Sequence, residues 1–159
     1  MKHLPKHIRP RWRYLAVGIE STPDAEIDRG AFQRELWYAA GNLLGDPGSA
    51  DADLTVYSFS FDEGRGEAIV RVRRGETDRG RAAVACLSEV DGEPVGVVIR
   101  GISGTVRACE ESYLGRQAGS FEQRQVVFAD AQRAAFSRAD AVEVSVPAGF
   151  VSATELDFE

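Results

Sequence analysis

The chain has 159 residues, 43% of them hydrophobic and 28% charged, which is ordinary for one globular domain with or without tails. No apolar run approaches the roughly 20 residues of a transmembrane helix, and the polar start does not match a secretory signal. The net charge of -6 argues against nucleic acid as a partner. Two cysteines without CxxC spacing predict reduced, buried thiols in a cytoplasmic protein.

Hydrophobic periodicity predicts strands and helices along most of the chain. In chain order the predicted elements are a strand at 13–20, a helix at 21–45, a loop at 46–53, strands at 54–61 and 66–74, a helix at 76–90, a strand at 95–103, and helices at 104–114 and 121–136. Gly45 is expected to end the first helix, and Gly64 and Gly66 supply the backbone freedom of a hairpin turn.

This order of elements predicts the fold class. Strand, helix, hairpin, helix and strand form the split β-α-β arrangement of ferredoxin-like and RNA-recognition domains. The prediction is therefore an α/β fold of the α+β kind, with an antiparallel sheet and two helices on one face. The extra C-terminal helices would cover the second face and make an α/β sandwich. We expect a basic arm at 1–11, a single domain at 12–138 and an acidic tail at 139–159.

The sequence offers no plausible catalytic centre. Both histidines, His3 and His7, lie in the basic arm, so no rigid histidine is available as a general base or metal ligand. Cys86 and Cys109 lack partners for a metal site, and neither a P-loop nor a GxSxG motif is present. These features argue against an enzyme that acts through its own residues.

The N-terminal arm is the first feature that favours RNA. Its basic side chains, with no acidic residue among the first 14, are Lys2, Lys6, Arg9, Arg11 and Arg13. Such a charge would follow a phosphate backbone. Of the 19 basic residues, 17 are Arg, which holds phosphate bidentately, although a GC-rich genome or a salt-loving organism would also produce this ratio. The alternative for the arm is a disordered tail that only aids solubility.

One sheet face is the second feature. If alternate residues of 66–74 face the core, Ile69, Arg71 and Arg73 share the opposite face, and Arg100 has matching parity in the strand at 95–103. An apolar face with three arginines is unusual for a solvated surface. The alternative is that these arginines form ion pairs with acidic residues of the helices.

The third feature is the strand-to-helix junction in "GISGTVRA". Ser103, Gly104 and Thr105 precede a helix whose first turn holds Arg107. Free backbone N–H groups and the helix dipole attract phosphate at such a position. The alternative is an ordinary N-cap formed by Ser103 or Thr105.

These residues resemble a known family, archaeal ribonuclease P protein component 2. "RPRWRYLAVGIES" resembles its basic opening, with Tyr14 in the Arg-Tyr-Leu that enters the first strand. "GEAIVRVRR" resembles its third strand. "VVIRGISGTVRACEESYL" resembles its most specific signature, and the three matches span residues 9–115 in the family's order. The helix after the signature tends to be basic in the family, whereas here it holds Glu110 and Glu111.

The resemblance implies a non-catalytic subunit of ribonuclease P, the RNA-based endoribonuclease that removes the 5′ leader from precursor tRNA. It implies that the chain supports the catalytic domain of the ribonuclease P RNA, together with the component 3 protein and other components. The protein would bind no cofactor, and Mg²⁺ is expected on the RNA. The predicted RNA-binding residues are Lys2, Lys6, Arg9, Arg11, Arg13, Tyr14, Arg71, Arg73, Arg100, Ser103, Gly104, Thr105 and Arg107.

Two alternatives remain open at the level of sequence. The chain could be a stand-alone ferredoxin-like domain that binds a ligand or a protein, or another subunit of the same holoenzyme. Binding that weakens steeply with salt would separate a phosphate contact from a small-ligand pocket.

Overall fold

A computed structural model describes residues 4–115, 122–138, 141–147, 149–153 and 158. The chain divides into two units, Met1–Gly115 and Arg116–Glu159. This division differs from the domain boundaries that the sequence predicts, because it falls inside 12–138. None of the helices in the described ranges is long and apolar enough to cross a bilayer.

The first unit begins with a 3-10 turn at Lys6–Ile8 and contains six strands and three helices among its described residues. In chain order these are β1 (Trp12–Glu20), α1 (Arg29–Ala52), β2 (Thr55–Asp62), β3 (Arg65–Arg73), α2 (Thr77–Ala85), β4 (Glu89–Val90), β5 (Glu93–Pro94), β6 (Gly96–Ser103) and α3 (Val106–Tyr113).

The long strands form one antiparallel sheet in the order β2-β3-β1-β6. β1 lies between β3 and β6, and β3 lies between β1 and β2, so each helical crossover skips one strand. This is the split β-α-β topology, and the predicted fold class is confirmed. β4 and β5 form a separate two-stranded ribbon.

The main core lies between the sheet and the helices α1 and α2. Leu15 and Val17 of β1 are fully buried with Val70 of β3, and Phe32 of α1 and Val84 of α2 pack in the same cluster. Each fully buried side chain of this size contributes roughly 1.5–3 kcal/mol. Alternation along β1 and β3 therefore directs one set of residues into this core.

α3 packs on the opposite face of the sheet. Cys109 is fully buried there against Ala16 and Ile69. A Cβ at Gly101 would overlap the Tyr113 ring, so the glycine allows this helix to approach β6 closely. The predicted helix at 104–114 is therefore confirmed, and it covers part of the second face.

The predicted loop at 46–53 is wrong, because most of these residues are helical. Gly45 does break the helix, with φ 70° and ψ 171°, but α1 resumes after it and runs to Ala52. Pro47 fits the first turn of the resumed helix, where its missing N–H would have no helical acceptor. Asp53, in a left-handed conformation, ends the helix with its N–H bonded to the Ser49 carbonyl.

Side chains along one face of α1 form hydrogen bonds with backbone groups at the start of β2, on its unpaired edge. Gln33 both donates to the Leu54 carbonyl, at 3.3 Å, and accepts from the Val56 N–H, at 2.7 Å. Trp37 donates to the Leu54 carbonyl at 2.8 Å, and Arg29 to the Val56 carbonyl at 2.6 Å. These contacts use edge groups that another strand would otherwise pair with.

The described residues of the second unit form four strands: β7 (Glu122–Phe128), β8 (Ala131–Arg138), β9 (Ala141–Val146) and β10 (Gly149–Ala153). They pair antiparallel with their neighbours in the order β10-β9-β8-β7. Val126, Ala135 and Val144 pack in its core. Two strands therefore lie within 139–159, where the sequence predicts an acidic tail.

The predicted helix at 121–136 is wrong, because a hairpin occupies this segment. Ala129 and Asp130 form its turn with φ of 50° and 59°, the positive values of a two-residue hairpin loop. The apolar spacing of Phe128, Ala131 and Ala135 fits a helix face equally well. The period alone therefore did not distinguish the two structures.

Candidate nucleic-acid interface

The described part of the basic arm is exposed and leads directly into the sheet. Lys6 lies in the turn Lys6–Ile8, and Arg9 folds back to donate to the Leu4 carbonyl at 2.6 Å. At Arg11 the arm becomes fixed, because the Arg74 N–H donates to its carbonyl at 2.9 Å. Lys2 lies outside the described residues.

Two of the predicted arginines lie over a tryptophan at the adjoining end of the sheet. Trp12 of β1 faces Arg73 of β3 in the register. The guanidinium carbon of Arg71 is 3.9 Å from the centroid of the Trp12 ring, and that of Arg73 is 4.9 Å away. Arg73 also donates to Asp53 at 3.2 Å. These are cation–π contacts, which hold both planar cations near the surface.

Tyr14 and Tyr57 complete this surface. Their ring centroids are 6.1 Å apart with the planes at 81°, an edge-to-face contact. The register of β2 against β3 shifts between Val56 and Ser58, so Tyr57 sits in a β-bulge. Tyr57 is 54% exposed. We call Trp12, Tyr14, Tyr57, Arg71 and Arg73 the aromatic–arginine patch.

The patch contains two residues that sequence reasoning missed, Trp12 and Tyr57. The alternation of Trp12 with Arg11 and Arg13 was a visible signal for the first of them. No sequence signal marks the bulge that exposes Tyr57.

Arg100 does not join the other two arginines. It forms an ion pair with Glu67 and lies over Gly18, whereas Arg71 pairs with Tyr14 in the register. Four residues of β1 separate these positions, which is about 13 Å along a strand. Arg100 therefore lies on the same sheet face as Arg71 and Arg73, as parity predicts, but α3 covers the sheet between them and the three arginines form no continuous surface. Ion pairing with an acid of a helix, the alternative for these arginines, applies to Arg73, whose partner Asp53 ends α1, whereas Arg100 pairs with Glu67 of β3.

The strand-to-helix junction has an ordinary N-cap. The Thr105 hydroxyl accepts from the Ala108 N–H at 3.2 Å, which satisfies one of the free N–H groups of α3. Arg107 is 87% exposed in its side chain and donates to Glu111 at 2.7 Å. Phosphate binding here stays a prediction.

Two other junction residues lie beside the patch. Ser103 pairs with Tyr14 across β1 and β6. Gly104 is exposed, and the Arg13 guanidinium lies 3.1 Å from the position that a Cβ would occupy there. The Arg13 side chain therefore lies close to the residue that precedes the N-cap of α3.

Charge is segregated along the sheet. The patch and the arm lie at the end where β1 begins and β3 ends. The β2–β3 turn, at the other end of these strands, borders a cleft of about 550 Å³. Its acidic lining residues are Asp24, Glu26, Asp28, Asp62 and Glu63. An anion is therefore attracted to one end of this unit and repelled from the other, despite the net charge of -6.

Metal-binding and nucleophilic groups are sparse on these elements. Among the described residues, no group of three or more His, Cys, Asp or Glu side chains could hold a metal ion. Burial raises the pKa of the Cys109 thiol, and the neighbouring Glu110 carboxylate raises this pKa further. Cys109 is therefore a protonated packing residue, whose thiol faces the Tyr14 carbonyl at 3.7 Å.

Comparison with known proteins agrees with the resemblance seen in the sequence. The model of the Rpp14/Pop5 family matches residues 13–114. The chain belongs to the Rpp14/Pop5 family. This match lies within the first unit and includes the whole aromatic–arginine patch except Trp12.

Three similar proteins share the name ribonuclease P protein component 2. The one from Halorubrum lacusprofundi is 65% identical over 159 residues, which is 100% of both chains. The one from Natronomonas pharaonis is 63% identical over 158 residues, covering 99% of this chain and 98% of that protein. The one from Methanosarcina mazei is 31% identical over 114 residues, covering 72% of this chain and 93% of that protein.

Among solved structures, the chain resembles one chain in the cryo-EM structure of yeast ribonuclease MRP. The TM-score is 0.47 at 22% identity, and the match covers 63% of this chain and 79% of that chain.

Proposed function

We propose that this chain is a protein subunit of ribonuclease P, the ribonucleoprotein that removes the 5′ leader from precursor tRNA. The observation that carries the proposal is the family match over residues 13–114 together with 65% identity, end to end, to a protein named ribonuclease P protein component 2. In this role the chain binds the RNA component and supports its catalytic domain.

The chain's contribution is binding rather than chemistry. Within the described residues we find no cluster of potential metal ligands, and His7 lies in the exposed arm. A general base must be held within hydrogen-bonding reach of the proton that it takes, which an exposed arm residue is not. We therefore assign hydrolysis to Mg²⁺ ions on the RNA, with no cofactor on the protein.

The basic end of the first unit is where we place the RNA. Lys6 and Arg9 of the arm are exposed, and Arg11 and Arg13 continue the positive surface onto β1. The aromatic–arginine patch borders it. The acidic cleft at the opposite end of the sheet disfavours phosphate there, so the charge distribution orients the RNA on this unit.

The remaining partners follow from the same assignment. We propose that the component 3 protein and other protein components assemble with this chain, and that precursor tRNA is the substrate of the assembly. The expected compartment is the cytoplasm, where Cys86 and Cys109, both free thiols, would stay reduced.

Reconstitution tests the proposal. The ribonuclease P RNA is combined with component 3 and the other components, with and without this chain, and cleavage of precursor tRNA is measured. We expect the complete mixture to cleave faster or at lower Mg²⁺ than the mixture without this chain, and the purified chain alone to cleave nothing. Equal rates in both mixtures, or leader removal by the RNA-free protein, would contradict the proposal.

A further inference from the structure

We propose that the aromatic–arginine patch binds unpaired nucleotides, with bases stacked on the Tyr57 ring and on the Arg71 guanidinium. This inference rests on the proposed RNA-binding role and names the class of RNA that the patch recognises. The arm at 1–11 would supply the contacts to phosphate that do not depend on whether the RNA is paired.

A β-bulge exposes the ring of Tyr57. Phe59, two residues after Tyr57, packs against Phe32 in the core, with ring centroids 5.4 Å apart. Strict alternation would place Tyr57 on the same face as Phe59. The bulge between Val56 and Ser58 breaks the alternation and brings Tyr57 to the face of Tyr14.

The Arg71 guanidinium is fixed against Trp12 and keeps its charge unpaired among the described residues. Within the described part of the chain Arg71 takes part in no ion pair, whereas Arg73 is bonded to Asp53. The Nε atom of Arg71 is buried without a hydrogen-bond partner, and the guanidinium is held over the Trp12 ring. A guanidinium so fixed has its charge available for phosphate, and its plane can stack with a base.

The size of the patch favours unpaired nucleotides over a duplex. Tyr57 on β2 and Trp12 on β1 are separated by β3, so the patch is roughly 10 Å wide at the usual strand spacing. α3 borders it, through Cys109 packed on Ala16 and Ile69. A surface of this width offers room for one or two bases. Paired bases are stacked inside the helix and expose no face to an aromatic ring, whereas unpaired bases do.

Charge favours RNA over a protein as the occupant. Trp, Tyr and Arg also mark protein interfaces, so the composition of the patch alone does not decide. Arg11 immediately precedes β1, Arg13 lies on β1 between Trp12 and Tyr14, and Arg74 follows the end of β3, so all three lie at the same end of the sheet as the patch. This concentration of positive charge matches a polyanion.

A matched pair of tyrosine variants provides the first test. Tyr57→Leu removes the exposed ring of the patch, and Tyr38→Leu removes a ring that is 62% exposed on α1. Affinity of each full-length variant is measured for single-stranded decauridylate and for a blunt-ended ten-base-pair RNA duplex, which has no unpaired nucleotides. Because stacking on an aromatic ring is a main term in single-strand binding, we expect Tyr57→Leu to lose about tenfold in affinity for the single strand, or 1.4 kcal/mol.

The same variant should bind the duplex as the wild type does, and Tyr38→Leu should bind both RNAs normally. Thermal melting confirms that each variant is folded. The loss in Tyr57→Leu should persist at ~1 M salt, where the Debye length is about 3 Å, because stacking does not depend on exposed charge. Unchanged single-strand affinity in folded Tyr57→Leu, or an equal loss on the duplex, would overturn the inference.

Tryptophan fluorescence provides an independent test. The chain has two tryptophans, Trp12 in the patch and Trp37 on α1. Trp37→Phe leaves Trp12 as the emitter, and Trp12→Phe leaves Trp37 as the matched control. Decauridylate should quench the first variant and leave the second unchanged. If decauridylate fails to quench Trp12, or if component 3 quenches it and RNA does not, the patch is not a base-stacking site.

The two proposals fail in different ways. If reconstituted cleavage depends on the chain but Tyr57→Leu binds single-stranded RNA normally, only this inference is lost. If the wild-type chain has no effect on cleavage by the ribonuclease P RNA, the proposed function is lost as well.

Discussion

Deleting residues 1–10 should weaken binding of ribonuclease P RNA and reduce its dependence on salt. The segment carries three cationic side chains, those of Lys2, Lys6 and Arg9. The described part of it, from residue 4 onward, is exposed and contributes no buried residue, so its removal should leave the fold intact. Fully extended, ten residues reach at most ~35 Å, which allows contacts well beyond the sheet.

The expected change in slope follows from counterion release. Each phosphate neutralised contributes roughly -0.9 to the log–log salt slope on a duplex and roughly -0.7 on a single strand. If all three side chains contact phosphate, deletion should reduce the slope by about 2 to 3. The advantage of the wild type over the deletion should then shrink by about 20- to 40-fold between 50 and 200 mM salt.

The assay is equilibrium binding to the RNA component at several salt concentrations. A full-length variant with Lys2, Lys6 and Arg9 each replaced by Gln keeps the chain length and removes the charge. It should behave as the deletion does, and both should still bind the partner protein. The same affinity and slope in the wild type and the deletion would refute the reasoning, and the arm would then be a tail that only aids solubility.

Three further outcomes are expected. Arg107→Glu replaces an i,i+4 ion pair with repulsion from Glu111. The free energy of unfolding should fall by under about 1 kcal/mol, and the melting temperature by no more than roughly 4 °C. A larger drop in melting temperature with intact holoenzyme cleavage would show that Arg107 is structural. Gly101→Ala should lower the free energy of unfolding in urea by about 1–3 kcal/mol and speed hydrogen exchange in α3, because the new Cβ meets the Tyr113 ring. An unchanged free energy of unfolding and unchanged exchange rates would contradict the close packing of α3 on β6. Because burial raises the pKa of the Cys109 thiol, less of it is thiolate at pH 8 in the folded chain. Iodoacetamide should therefore label Cys109 more slowly in the native chain than in urea. Equal labelling rates would contradict the burial of Cys109.

The order of elements in the first unit could be predicted because each strand and helix carries its own period. Leu15, Val17 and Ile19 alternate along the strand predicted at 13–20, which puts them on one face, and all three are buried in β1. The Gly-Thr-Val-Arg stretch likewise marks the start of α3, since Thr105 is an N-cap in sequence and in structure. Strand alternation and the N-cap each depend on only a few neighbouring residues, so both can be recognised without knowledge of the fold.

Segments compatible with two structures could not be assigned in this way. The residues of β7 and β8 satisfy a helical period, and the turn at Ala129 and Asp130 lacks the glycine that usually marks a hairpin. Pairing between strands decided this segment, and such pairing depends on residues distant in sequence. The same holds for 46–53, where Gly45 interrupts α1 but does not end it.

Some features of the candidate site are also local and predictable from the sequence, whereas others depend on the tertiary structure. The sequence by itself determined that Arg71 and Arg73 share a sheet face and that the arm is cationic, because both follow from parity and composition. Only the tertiary structure decided that Arg100 pairs with Glu67 beyond α3. It also decided that a bulge exposes Tyr57 beside Tyr14. A local period specifies which way a side chain points, whereas its neighbours are set by register and by the helices packed above the sheet.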